Sequence, residues 1–315
     1  MYILGFDIGG TKCAAVTAAW DGESVTLLKK VRIDTDTNVP PCEIIERLMA
    51  AADEILDKKP DAIGISSGGP LDSERGVILG PPNLPGWDYV EIVKIVQEHY
   101  GVKTQLQNDA NACAVAEWKF GAGKGSTDMV FLTFGTGLGA GLIINGKLYV
   151  GANGNAGEVG HIRLEKNGPV GFGKAGSFEG FCSGGGIARL GWSMALEAAK
   201  TGELPAYYRE GMDSSEVSAK SIAEAAIAGD KTAKEVYRIS GEHLGYGLSV
   251  LIDVLNPELI VIGSVFARSR DLLLESMEKA LAEEALSCAK EACRIVPAAL
   301  GDNVGDYAAI AAALA

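Results

Sequence analysis

Two glycine-rich turns, each entered from a short apolar run, constrain this chain more than any other feature: DIGGTK at residues 7–12 and TFGTGLGAG at residues 133–141. A turn without side chains can bend tightly and bring backbone N–H groups close to an anion. Gly9, Gly10, Gly135, Gly137 and Gly139 supply that freedom, and Thr11 and Thr136 add hydroxyl donors. Asp7 adds a carboxylate able to reach a magnesium-bound water. One such turn alone also fits an ordinary hairpin. Two of them, the first headed by a carboxylate, point to nucleotide binding.

Around the first turn, residues 2–6, 13–18 and 25–33 read as consecutive strands, the β-hairpin opening of a mixed sheet. Ile44, Leu48, Ala52 and Ile55 recur at helical spacing and predict an amphipathic helix over 42–58. A strand over 62–66 leads into SGGPLD, and another over 77–79 leads into PPNLPGW, whose three prolines exclude helix or central strand. Residues 89–100 read as a helix and 103–106 as a strand. NDANACAVAEW then opens a helix with Asn108 or Asp109 near its start. A strand over 129–134 precedes the second glycine turn and repeats the order strand, turn, strand, which predicts an internal duplication. Helices follow over 185–200, 214–229, 230–255 and 268–285, interrupted by a buried strand over 259–262 and closed by a last helix over 304–315.

At 315 residues the chain exceeds the ~100–200 of one domain, and its 47% hydrophobic content supplies ample core. Two α/β lobes are expected, a smaller one over 1–117 plus about 301–315 and a larger one over 118–300. The net charge of −13 disfavours nucleic acid and polyphosphate as partners. No apolar run reaches the ~20 residues needed to cross a bilayer, and no basic leader precedes the first strand, so no membrane partner and a cytoplasmic location are expected. Six cysteines without a CxxC pair read as small buried residues, not bridges.

The motifs DIGGTK, GGP, PNLPGW, NDANA, GTGLGAG, AGEVGH and NPELIVIG stand in the order found in the ROK family of bacterial sugar kinases, repressors and related proteins, which this chain resembles over nearly its whole length. The resemblance implies an α/β, actin/hexokinase-like (ribonuclease H-like) duplicated two-lobe fold, with sugar and ATP bound in a cleft, Mg2+ as cofactor and a homodimer as the common state. Asp109 matches the family's catalytic base. The chemistry supports it independently: phosphoryl transfer to a hydroxyl asks for positioning, charge neutralisation and one carboxylate to take the proton. The competing account is that Asp109 caps a helix. Asn108, Glu158 and His161 match positions that hold sugar hydroxyls, and Glu179 matches a further one near the anomeric end. Gly68, Gly69 and Asn83 resemble the loops completing the sugar pocket, although turn chemistry also explains them. Asp7, Gly9, Gly10, Thr11 and Lys12 are expected near the terminal phosphates from one side, and Thr136, Gly137 and Gly139 from the other. Gly263 and Ser264 resemble the adenosine-contacting segment, where a glycine pair is usual.

One departure concerns zinc. Many family members carry a CxCGxxGC cluster after the GH motif, and this chain has Val170, Phe172 and Ser177 where those thiolates would stand. One imidazole does not make a tetrahedral zinc site, so no structural zinc is expected. Apolar packing of Val170, Phe172 and Phe178 is expected to steady the His161 loop instead. The resemblance implies an ATP-dependent kinase acting on a hexose hydroxyl, O6 of glucose or a related hexose. N-acetylmannosamine or N-acetylglucosamine kinase is the alternative substrate class, and a non-catalytic sugar-binding regulator the alternative of another kind. A DNA-binding repressor is disfavoured by the six residues ahead of Asp7 and by the acidic balance. Leu190, Met194 and Leu196 fit either a dimer face or ordinary core.

Overall fold

A computed structural model describes residues 1–315. The chain forms two compact units, one of residues 1–127, 141–156 and 299–315, the other of 128–140 and 157–298. Chain order begins β1 (Tyr2–Ile8), β2 (Lys12–Trp20), β3 (Val25–Asp34), α1 (Pro41–Ile55), β4 (Ala62–Ser67), β5 (Leu71–Asp72), β6 (Val77–Ile78), α2 (Ile92–Tyr100), β7 (Thr104–Asn108) and α3 (Asp109–Phe120). It continues β8 (Met129–Phe134), β9 (Leu138–Ile144), β10 (Lys147–Tyr149), β11 (Val170–Gly171), β12 (Lys174–Ala175), α4 (Phe178–Phe181), α5 (Gly184–Lys200), α6 (Ala219–Ile227) and α7 (Lys231–Leu255). Last come β13 (Leu259–Ile262), α8 (Val265–Glu284), α9 (Ser287–Ala292), β14 (Arg294–Pro297) and α10 (Val304–Ala312).

The duplication read from the sequence reappears as topology. One five-stranded sheet runs β3-β2-β1-β4-β7 and the other β10-β9-β8-β13-β14, the same third, second, first, fourth, fifth order. In the first, β1, β2 and β3 are antiparallel neighbours, whereas β4 pairs parallel with β1 and β7 parallel with β4. In the second, β10 is antiparallel to β9, and β13 is parallel to both β8 and β14. The chain therefore belongs to the actin/hexokinase-like α/β class.

β1 is apolar from Tyr2 to Phe6, with Asp7 near its carboxyl end, because helices cover both its faces. Ile44, Ile45, Leu48 and Met49 of α1 pack with Phe6, Ile63 and Ile65 in the larger core. On the opposite face, Ala309 and Ile310 of α10 pack with Ile3, Val16 and Ala62. The helix lies so close that a Cβ on Gly5 would stand 2.9 Å from the Ala309 backbone carbon, and one on Gly64 2.2 Å from the Ala309 carbonyl oxygen. Two strand glycines and an alanine-rich helix are thus one device for close approach.

Some expectations need correction. Residues 214–229 divide into a single 3-10 turn (Ser214–Glu216) and α6, because Ser218 caps a fresh helix start. The helix expected from 268 begins at Val265 and kinks at Ser269. β14 was not anticipated, since RIVP is a short, half-exposed edge strand ending in proline. The cysteines are all free, yet only Cys13 and Cys182 are buried, while Cys42 and Cys288 are exposed. Cys42 precedes the buried pair Ile44 and Ile45 on α1 and faces outward.

Candidate functional site

The first glycine turn is the hairpin loop between β1 and β2. Gly9 and Gly10 are required there for space, since neither has a positive φ. A Cβ on Gly9 would lie 2.7 Å from the Lys12 carbonyl oxygen, and one on Gly10 2.2 Å from that of Asn83. The proline-rich loop carrying Asn83 therefore rests directly on the turn. Thr11 and Lys12 remain exposed, with the Thr11 carbonyl accepting the Thr35 N–H at 2.9 Å. Beyond the end of β4, a Cβ on Gly68 would be 3.7 Å from Asn83 Oδ1 and 3.9 Å from Asp109 Oδ2, and one on Gly69 3.4 Å from Asn108 Nδ2. Asp7, Gly10, Gly68, Gly69, Asn83, Asn108 and Asp109 thus converge outside the carboxyl ends of β1, β4 and β7, the ligand-binding side of an open parallel sheet.

Capping of α3 falls to Asn108, whose Oδ1 accepts the N–H groups of Ala110 at 3.0 Å and Asn111 at 3.3 Å. Asp109 is the first helical residue, its Oδ1 accepting the Ala110 N–H at 2.8 Å. Asp7 is partly buried, and burial first, then the charges of Asp109 and Asp306, push its carboxyl up to about 6, against the opposing pull of Lys30 and Arg32. Asp306, in the first turn of α10, is buried and ion-paired with Lys30. Beside it, a Cβ on Gly305 would stand 3.1 Å from Asp7 Oδ2. Neither Gly305 nor Asp306 was singled out from the sequence, since GDNVGDY carries no motif.

A second cluster surrounds the other glycine turn, between β8 and β9. Glu179 Oε2 accepts the Leu138 N–H at 3.1 Å, and a Cβ on Gly137 would meet the same oxygen at 2.9 Å. Gly139 gives its N–H to Thr133 Oγ1 at 2.9 Å, so part of this turn's donor set is engaged within the protein. The carbonyls of Gly135 and Thr136 accept the N–H groups of Gly184 at 2.7 Å and Gly185 at 3.3 Å, which seats the turn on the start of α5. The SGGG run at 183–186 is the sequence signal of that close approach. Glu158 is exposed and precedes the 3-10 turn Val159–His161.

The His161 loop is not held as expected. Phe178 is buried, but Val170 is 45% and Phe172 70% exposed. Phe172 meets the His161 ring edge-on at 5.2 Å, while Lys174 Nζ donates to the His161 carbonyl at 2.6 Å and Arg163 to that of Ala175 at 2.7 Å. Ser177, at an expected thiolate position, is buried and caps α4 through the Gly180 N–H at 3.1 Å. Polar backbone contacts therefore steady this segment, because a short glycine-rich hairpin has too few layers to bury Val170 and Phe172. Ser264, at the glycine-pair position after β13, has φ +53°, and its Oγ accepts from Arg268 at 2.9 Å. A positive φ is the reason glycine suits that place.

No group of three or more His, Cys, Asp or Glu side chains is arranged to hold a metal ion. A magnesium ion carried on nucleotide phosphates needs only one or two protein carboxylates, and the hard oxygen donors of Asp7 and its acidic neighbours fit that requirement.

The chain is 30% identical over 305 residues to a glucokinase of Thermotoga maritima, covering 96% of this chain and 94% of that protein. It is 30% identical over 288 residues to a xylose repressor of Caldicellulosiruptor bescii, spanning 89% of this chain but 69% of that one. Among solved structures, a ROK family glucokinase from Streptomyces griseus in complex with glucose and AMPPNP matches with a TM-score of 0.78 at 30% identity, over 99% of this chain and 98% of that one. The profile of the ROK family matches residues 3–315. With that match spanning both glycine turns and both clusters of side chains, the chain belongs to the ROK family.

Proposed function

We propose that this protein is an ATP-dependent sugar kinase that transfers the γ-phosphoryl group to a hexose hydroxyl, O6 of glucose or a related hexose. The observation that carries the reading is the convergence of Asp109 with Gly68, Asn83 and Asn108 beside an acid-flanked Asp7. The similarity to glucokinases over almost the whole chain supports it.

In this reading Asp109 accepts the proton of the attacking hydroxyl, within hydrogen-bond reach of it. Asn83 and Asn108, with Glu158, His161 and Glu179, hold the other hydroxyls, and the missing side chains of Gly68 and Gly69 leave room for the ring. Such donor and acceptor sets reject sugars lacking a partner hydroxyl. Thr11, Lys12 and the glycines of both turns take the nucleotide phosphates, and Gly263 and Ser264 the adenosine. Mg2+, when bound with ATP, neutralises phosphate charge, with Asp7 as the carboxylate that reaches it or its water. We assign no structural zinc to the His161 segment.

The test is Asp109→Asn in an ADP-release assay with Mg-ATP across a hexose panel that includes N-acetylmannosamine and N-acetylglucosamine. Turnover is expected to fall by about 10²–10⁴-fold, the usual contribution of a positioned base, while calorimetric sugar binding stays within a few-fold. A variant with wild-type turnover would remove Asp109 from the mechanism. The similarity to a xylose repressor keeps a second reading, a sugar-binding regulator, distinguishable by the same panel: it requires wild-type protein to bind a sugar without releasing ADP. We further propose a cytoplasmic homodimer; no helix is long and apolar enough to cross a membrane, and exposed Val250, Val254 and Leu286 offer apolar surface to a second copy.

A further inference from the structure

Glu117, in the last turn of α3, is fully buried at 0% exposure. Its partners are backbone N–H groups, one five residues ahead and two from a stretch some 180 residues away. Oε2 accepts from Ala122 at 2.8 Å and from Ala299 at 3.2 Å, and Oε1 accepts from Leu300 at 2.9 Å. Three backbone N–H groups thus find their acceptor on one buried side chain, where leaving any of them unpaired would be costly. Gly121 makes room for the fold-back: a Cβ there would sit 2.1 Å from Glu117 Oε2.

The carboxylate therefore fastens the end of α3 to the residues that lead into α10, and the two helices pack along each other. Their other functional residues lie within that arrangement. α3 begins with Asp109, and the first turn of α10 carries Gly305, which approaches Asp7, and Asp306. A helix transmits displacement along its axis as a rigid rod, and Glu117 is eight residues, about 12 Å at 1.5 Å per residue, from Asp109.

We propose that Glu117 is a positioning residue for phosphoryl transfer, the buried side chain whose hydrogen bonds to Ala122, Ala299 and Leu300 set the register of α3 against α10 and with it the spacing of Asp109, Asp7 and Asp306. The claim about the reaction rests on the kinase reading above; the claim about the register does not.

The test uses Glu117→Gln, which keeps the shape but turns one acceptor into an amide facing backbone N–H donors, and Leu300→Pro, which deletes a single donor. Leu300 has φ −78°, compatible with the proline ring. Backbone amide NMR of the unliganded full chain is the first readout. The amide shifts of Asp109, Gly305 and Asp306 are expected to move in Glu117→Gln and, in the same direction and less, in Leu300→Pro. Kinetics are the second: kcat falls about tenfold or more while KM for the sugar stays within about threefold, the pattern of an interaction realised in the transition state. Glu117→Asp, which keeps both acceptor oxygens on a shorter arm, recovers part of the rate.

Shifts confined to residues 115–123 and 297–301 in folded variants would overturn the register claim, whatever the activity. Moved shifts with unchanged kcat would overturn the positioning claim. If the wild type phosphorylates no sugar, the kinase reading fails, and the NMR still decides the register. Should Glu117→Gln fail to fold, Leu300→Pro carries both measurements.

Discussion

Replacing Asp7 by Asn should stabilise the unit that contains it, and the gain should appear only as pH rises. The Asp7 carboxyl is raised from 3.8 to about 6, by burial and then by Asp109 and Asp306. A folded value above the unfolded one means that the folded state holds its proton more tightly. Stability is therefore complete below about 3.8, declines as pH rises through the interval to about 6, and stays reduced above it. A difference of about two pH units at 1.36 kcal/mol each amounts to at most about 3 kcal/mol. Asn cannot ionise and avoids that loss. Urea unfolding at pH 4 and pH 8 measures it. Because two compact units can unfold separately, a Trp192→Phe background leaves Trp20, Trp87 and Trp118, all in the unit of Asp7, as the fluorescent reporters. The Asp7→Asn chain is expected to exceed its parent by up to about 3 kcal/mol at pH 8 and by a small fraction of that at pH 4, with kinase turnover lost. An advantage of equal size at both pH values, or an Asn variant weaker at pH 8, would refute the assigned electrostatics.

Two further perturbations probe packing and titration elsewhere. Gly64→Ala forces a methyl to within 2.2 Å of the Ala309 carbonyl oxygen, a backbone atom that cannot swing aside. Overpacking of this kind costs typically ~1–3 kcal/mol, visible as a lower urea midpoint for the same unit, and an unchanged midpoint would show that α10 does not press on β4. His243 is buried and stacks on Phe181 at 3.6 Å, with Nε2 lacking a hydrogen-bond partner, and burial holds its pKa below 6.5. A lowered folded value means that stability is complete above the unfolded value and is lost as pH falls, so His243→Phe should flatten the acid-side decline of the second unit between pH 7 and 5. Thermal midpoints followed by Trp192 fluorescence test this, and parallel declines in both proteins would rule His243 out as the cause.

The portion of the site that was legible in the sequence is the portion built locally. Asp7, Gly9 and Gly10 belong to one strand and its hairpin, and Asn108 and Asp109 to a strand end and the helix cap that follows it, so short-range turn and cap chemistry marks them. The reason for Gly10 was less legible: it serves close approach, and the partner that demands it, Asn83, arrives more than seventy residues later, whereas Gly9 is crowded locally by the Lys12 carbonyl. Val170 and Phe172 show the converse failure, since an apolar side chain is buried only where something covers it, and nothing local says whether it will be.

Periodicity and turn residues in the sequence thus determined the elements, their duplication, the acid on β1 and the acid at the head of α3. Tertiary structure alone decided that Asp306 joins them and that Glu117 grips Ala299 and Leu300. Both depend on α10 returning to the first sheet after some 180 intervening residues. A carboxylate's role is set by the donors and charges packed against it, and long-range packing, unlike a turn or a cap, leaves no signature at the residue itself.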